Sequence, residues 1–218
     1  MSSKKSSMAS LLLTLIVVTG VSAFSLGFVY EWTKEPIAQA KAEKQMRAIK
    51  SVVGNYDNDP LIDAYPVFKE KGKKQQHRFR RGRRNHADTV LNIKEEKLTF
   101  YPAKIDSEVQ VTAVQASSDK GYNGKIELMV GIDKNGIIKN IEVLSHTETP
   151  GLGSKIKDED FLSQFIGKTL IDEEIKVKKD GGDVDAISGA TISSRAFCDA
   201  VTQALQAFNQ TKDETGAE

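Results

Sequence analysis

The residues best placed to do chemistry lie near the C-terminus, in Asp185-Ala186-Ile187-Ser188-Gly189-Ala190-Thr191 and the Ile192-Ser193-Ser194-Arg195 that follows. Their types and spacing suggest anion binding. Gly189 and Ala190 leave little side-chain bulk in front of Thr191, and Ser188, Ser193 and Ser194 surround the same point with hydroxyl donors. If a helix begins here, the Thr191 hydroxyl lies beside backbone N–H groups that have no intrahelical partner, in the positive end field of the helix. A phosphate suits such a place. The same pattern also describes an ordinary helix cap. Asp185 either orients the turn or caps the amides after it.

The helix is predicted by spacing. Ile192, Ala196, Phe197, Ala200, Val201, Ala204, Leu205 and Phe208 recur with a helical period, one apolar stripe facing a core. Cys198 falls beside Phe197 on that helix and reads as a small buried hydrophobe. With one cysteine, an intrachain disulfide and a cysteine-built metal cluster are excluded. His77, His86 and His146 have no metal-ligand spacing, so no metal is assigned.

A second candidate is His146-Thr147-Glu148-Thr149-Pro150-Gly151-Leu152-Gly153. Pro150 fixes its own φ and restricts Thr149, and two glycines remove bulk, so the loop has a specified shape open to a flat ring. Read alone, it is a glycine-proline connector.

Together these segments resemble a known family. D-x-x-S-G-A-T is similar to the flavinylation motif of FMN-binding domains, with Thr191 at the attachment position. H-x-E-T-P-G-L-G resembles the G subunit of the Rnf ion-translocating electron transport complex, related to the C subunit of sodium-pumping NADH:quinone reductase. Gly121-Tyr122-Asn123-Gly124 and Leu128-Met129-Val130-Gly131 are also family-like. The resemblance covers about residues 95 to 210 plus an N-terminal anchor.

It implies FMN held covalently by a phosphoester on Thr191, placed there by a flavin transferase that uses FAD and magnesium. It further implies a membrane-anchored electron carrier in an Rnf-type complex, coupling ferredoxin/NAD electron transfer to Na⁺ or H⁺ translocation, with the other membrane subunits as partners. The flavin ring would rest against Glu148, Thr149, Gly151 and Leu152. His146 is then either a proton donor or a satisfied structural histidine.

Two other functions fit the sequence. One is an exported non-redox binding or scaffold domain in which Thr191 is only a helix cap. The other is a stand-alone reductase, for which 218 residues leave no room for a second catalytic domain. The net charge of +1 gives no global field for nucleic acid.

The elements that must position these residues follow from the rest of the chain. Between Ser6 and Tyr30 there is no charged residue, enough to cross a hydrocarbon layer of about 30 Å as a helix. Lys4 and Lys5 precede it and Glu31-Trp32-Thr33-Lys34-Glu35 follow, so the positive-inside rule sets the N-terminus in the cytoplasm and the rest on the periplasmic or outer side of the inner membrane. Retention is preferred to cleavage after Val21-Ser22-Ala23, because apolar character continues to an aromatic flank.

The expected organisation is residues 1–32 as cytoplasmic N-terminus and transmembrane anchor, 33–60 as a stalk helix, 61–95 as a basic variable segment, 96–209 as the FMN-binding domain and 210–218 as a disordered tail. The basic run from Lys69 to Arg84 reads as a solvated loop, and it departs from the family pattern. Strands are expected at Leu98 to Tyr101, Val109 to Val114, Lys125 to Ile132, Ile137 to Leu144 and Ile175 to Lys178, with a hairpin turn at Asp133 to Gly136 and a short helix from Asp158 to Ile166. The fold class is α+β: a transmembrane helix, then one exported domain of antiparallel sheet with packed helices.

Overall fold

The computed structural model describes residues 8–69, 96–106, 108–169 and 175–215. The basic run therefore lies outside the described residues, apart from Lys69 at its start.

The first compact unit, Met1–Gln45, holds the apolar stretch. Helix α1 runs Met8–Val53 without a break and passes through Pro36, so the expected anchor and stalk are one helix. Thr14, Thr19, Ser25 and Thr33 donate back to carbonyls one turn earlier, at 2.9, 2.8, 2.8 and 2.8 Å. Such bonds satisfy hydroxyls that a hydrocarbon environment would leave unpaired. Among the described residues this is the one helix long and apolar enough to cross a membrane.

The second unit, Met46–Glu218, is built on a five-stranded antiparallel meander. Its strands are β1 Tyr65–Lys69, β2 Glu96–Ile105, β3 Glu108–Ser118, β4 Ile126–Asp133 and β5 Ile138–His146, in spatial order β1 to β5. The β4–β5 hairpin forms as its turn chemistry predicts. Asp133 Oδ1 accepts from the N–H groups of Asn135 and Ile137, and Gly136 takes a positive φ of 82°.

Both faces of the sheet are covered, and this explains why strict alternation fails. Val114, Leu128, Val130 and Ile141 point into one core with helix α3, Thr191–Thr215. Ala113, Met129 and Leu144 point the other way, against Ala48, Ile49 and Val52 of the last turns of α1. Helix α1 ends where Gly54, at φ 85°, returns its N–H to Lys50. Gly131 sits at a register shift in β4, where a Cβ would strike the Val52 carbonyl, so the helix end packs directly on the strand. Ile37, further up α1, is exposed.

Two expectations are corrected, and one strand appears that the sequence did not announce. That strand is β1, within residues 61–95. Its Pro66 is tolerated because β1 is an edge strand, and Tyr65 stacks on Phe100 with centroids 5.5 Å apart. Ile175 to Lys178 does not form a strand, and only a single parallel bridge joins Val177 to Val184. The Asp158 to Ile166 helix is divided into α2, Glu159–Leu162, and a 3₁₀ turn, Ser163–Phe165, after another 3₁₀ turn at Gly153–Lys157.

Helix α3 closes the core. Ala196, Phe197, Ala200, Val201, Ala204 and Leu205 are fully buried, and the alanines let the helix approach the sheet closely. Phe197 meets Phe161 and Phe165 at ring-centroid distances of 5.1 and 4.8 Å. Removing that ring leaves a cavity between α3 and the short helical turns. Phe197→Ala should therefore cost about 3 to 5 kcal/mol in denaturant unfolding. Cys198 is buried as expected, and burial pushes its thiol up to about 12, which makes it a poor nucleophile.

Candidate functional site

The turn before α3 is made by Gly189. The Ala190 N–H donates to the Ile187 carbonyl at 2.9 Å, and Gly189, in the third position at φ 76°, adopts a conformation that a type II turn requires and other residues resist. Ser194 then ties turn to helix. Its buried Oγ accepts from the Ile187 N–H and donates to the Ala190 carbonyl, both at 3.0 Å.

The first helical backbone bond runs from Ser194 N–H to the Ala190 carbonyl at 3.0 Å. Ala190 is thus the capping position and Thr191 the first helical residue. Thr191 is therefore not the capping residue of α3, because that place belongs to a buried alanine with no side-chain acceptor. The Thr191 hydroxyl is half-buried and lies in the first turn, where the amides of Thr191, Ile192 and Ser193 have no intrahelical acceptor. Its contact is with Lys179 Nζ at 3.4 Å.

The two motifs meet. Ser193 Oγ donates to Glu148 Oε2 at 2.5 Å, and both residues are buried. Glu148 Oε1 accepts from the Asn123 N–H at 3.2 Å, and Asn123 Nδ2 donates to Thr149 Oγ1 at 3.2 Å. The loop after β5 is thereby joined to helix α3 on one side and to the Gly121-to-Gly124 turn on the other. Glycines make this possible: a Cβ on Gly153 would lie 2.6 Å from Ser193 Oγ and 2.7 Å from Glu148 Oε2. Gly151, at φ 76°, turns the loop, and its N–H donates to Ser154 Oγ at 2.9 Å.

Leu152 is carried to the Gly189 turn, its Cδ2 lying 3.3 Å from the place a Gly189 Cβ would take. Leu152 and Ile192 are each 46% exposed. Ile192 therefore leaves the core stripe predicted for it and adds an open apolar surface near Thr191.

Other predicted residues sit differently. The Asp185 carboxylate is exposed and pairs with Lys178 at 2.7 Å instead of capping the following amides, while its backbone N–H and carbonyl bond Gln164. Ser188 is exposed at the tip of the turn. His146 ends β5, and its Nδ1 is buried with no hydrogen-bond partner among the described residues.

Lys179 and Asn123 join the site without having been singled out by the sequence. Asn123 is legible within the Gly121-to-Gly124 phrase, but Lys179 sits in a polar Lys-Lys-Asp turn with nothing to distinguish it. That turn, Lys178–Asp180, ends at Gly181 at φ 87° and is held by Lys178 N–H to the Val184 carbonyl at 2.8 Å.

Residues 121–206 match the model of the FMN-binding domain, and this span contains all three interlocking segments. Over that span the chain is similar to FMN-binding domains. The G subunit of the ion-translocating oxidoreductase complex of Pseudomonas aeruginosa (strain UCBPP-PA14) is 33% identical over 211 residues, covering 94% of this chain and 89% of that protein. Its counterpart in Vibrio atlanticus (strain LGP32) is 45% identical over 121 residues, 53% of this chain and 58% of that one. The crystal structure of Shewanella oneidensis NqrC has the same fold, with a TM-score of 0.52 and 22% identity over 80% of this chain and 99% of the other.

The chain belongs to the G-subunit family of ion-translocating oxidoreductase complexes. With that membership, the apolar α1 supports a single-pass membrane protein.

The residues present fit FMN. A half-buried hydroxyl stands among first-turn amides with a lysine ammonium beside it, a donor set suited to phosphate. Exposed Leu152 and Ile192, separated from the turn by no bulky wall at Gly189, offer apolar surface for a flat ring.

Proposed function

We propose that this protein is the membrane-anchored flavin carrier of an Rnf-type complex, with FMN joined through a phosphoester to Thr191 Oγ1. The observation that carries the reading is the position of Thr191. It is the first residue of α3, its hydroxyl is not used for capping, and its motif is interlocked with the second family motif through Ser193 and Glu148.

Each residue has a task. Gly189 and Ala190 keep the approach to Thr191 open, and Ser188 lies exposed at the tip of that turn. Ser194 fixes the turn, and Ser193 with Glu148 holds the second loop against it. Thr149, Gly151 and Leu152 then line the ring, Leu152 by packing and the loop amides by hydrogen bonding. His146 stands at the end of β5 beside that loop, its Nδ1 buried without a partner among the described residues. Asp185, exposed and paired with Lys178, is a contact for the maturing enzyme. The flavin, when bound, supplies the electron transfer, and the protein supplies its position.

Attachment by a flavin transferase drawing on FAD and magnesium would form the Thr191 Oγ1–phosphorus bond, break the pyrophosphate link, release AMP and lose the hydroxyl proton to solvent. A covalent link suits a domain outside the cytoplasm, where a dissociated cofactor is not replenished. The lysines before the apolar stretch support that orientation. The partners are then the other membrane subunits, and electrons pass between ferredoxin and NAD with Na⁺ or H⁺ moved across the membrane.

In membranes holding the assembled complex, the visible absorbance of this chain's flavin should bleach when reduced ferredoxin is added and recover with excess NAD⁺. A flavin that stays oxidised throughout turnover would contradict the role.

A further inference from the structure

Among the described residues, Lys176, Lys178, Lys179 and Arg195 stand near the start of α3, and they are not equivalent. Lys178 pairs with Asp185 at 2.7 Å, and Arg195 grips Asp180 with two bonds, Nε to Oδ2 at 2.6 Å and Nη2 to Oδ1 at 2.7 Å. Lys176 lies just before the Lys178 turn and adds to the positive field at Asp180. Lys179 reaches the Thr191 hydroxyl, its Nζ lying 3.4 Å from Oγ1.

The chain goes to some length to put it there. Gly182 has no room for a Cβ against the Lys176 carbonyl, so the Lys178–Asp180 turn folds tightly back on itself. Asp180 is the immediate neighbour of Lys179, and Arg195 projects from the first turns of α3, so this two-pronged pair fastens the lysine's turn to the helix that begins with Thr191.

The geometry points to Lys179 as the phosphate-binding cation of the site: its ammonium is the counter-charge for a phosphodiester on Thr191 Oγ1, positioned by the Asp180–Arg195 pair. The inference rests on the reading that Thr191 carries FMN. An unmodified threonine is neutral and has no need of a cation. A phosphodiester brings one negative charge to that oxygen, next to helix amides and within reach of an ammonium. Lys179 is thus a positioning residue for the phosphate, separate from the groups that line the ring.

The test uses the full chain in detergent micelles after co-expression with a flavin transferase, read by the phosphorus NMR chemical shift of the linkage, which responds to the charge and hydrogen bonding around the phosphate, and by the yield of attachment. Lys179→Gln should move that resonance, Lys178→Gln should leave it in place, and Lys179→Arg should hold it near the wild-type position, because guanidinium supplies the same charge. Loss of attachment in Lys179→Gln with attachment retained in Lys179→Arg would support the same assignment. A resonance unmoved in Lys179→Gln, or attachment lost equally in both variants, would overturn it. Wild-type chain with no phosphodiester resonance would instead remove the Thr191 reading, and this inference with it.

Discussion

Thr191→Ala should lose all covalently held flavin while the domain stays folded. After co-expression with the transferase, the wild-type band should fluoresce on a denaturing gel and the variant band should not. The effect is all-or-none because the deleted hydroxyl is the attachment atom. The fold should be nearly indifferent, since Thr191 is half-buried, does not cap α3, and makes only a long contact with the exposed Lys179. Surface changes of this kind are usually worth about 0.5 kcal/mol or less. A variant that loses flavin because it has unfolded would show a collapsed thermal transition, which separates the two causes. Thr191→Ala that still carries a fluorescent band would place the flavin elsewhere.

Gly153→Ala should do the reverse, damaging the scaffold from a residue with no chemistry of its own. The added Cβ would lie 2.6 Å from Ser193 Oγ, 2.7 Å from Glu148 Oε2 and 2.8 Å from Glu148 Cβ. None of these is the loose end of an exposed chain: Ser193 is 1% exposed and Glu148 4%. Either the loop retreats, breaking the Ser193–Glu148 bond and leaving a buried acid group short of a donor, or the helix start shifts. Overpacking of this kind costs about 1 to 3 kcal/mol. Denaturant unfolding should read that loss, together with faster proteolysis between Glu148 and Lys157. Ser193→Ala, which removes the donor without adding an atom, should cost less. Equal stability of Gly153→Ala and wild type would mean that the loop is not held as described.

Some parts of this arrangement are legible in the sequence and others are hidden, for physical reasons. The β4–β5 hairpin is readable because an Asp-Lys-Asn-Gly turn specifies its own geometry locally. Helix α3 is readable because one stripe of side chains meets one core, although Ile192 breaks ranks at the end where the helix meets solvent. Strand β1 is hidden because an edge strand of five residues with a proline carries little periodic signal. The strand expected at Ile175 fails because β propensity cannot act without a neighbouring edge, and the segment is drawn instead into a glycine turn.

At the site, Thr191, Glu148 and Leu152 stand out because motifs mark them. Their meeting is not legible, since the Ser193–Glu148 bond joins residues 45 positions apart. Lys179 is invisible for the same reason. Its value lies in a turn that brings it back to Thr191, and nothing in a run of lysines announces which one will arrive.

The central claim is that the oxygen of Thr191 is esterified to FMN. The most direct measurement is tandem mass spectrometry of proteolytic peptides from the chain made with an active flavin transferase. The account predicts one flavin mononucleotide, joined with loss of water, on the peptide spanning Thr191, with fragment ions assigning it to that residue and not to Ser188, Ser193 or Ser194. An unmodified Thr191 peptide in fully matured complex, or flavin fixed on another residue, would contradict it.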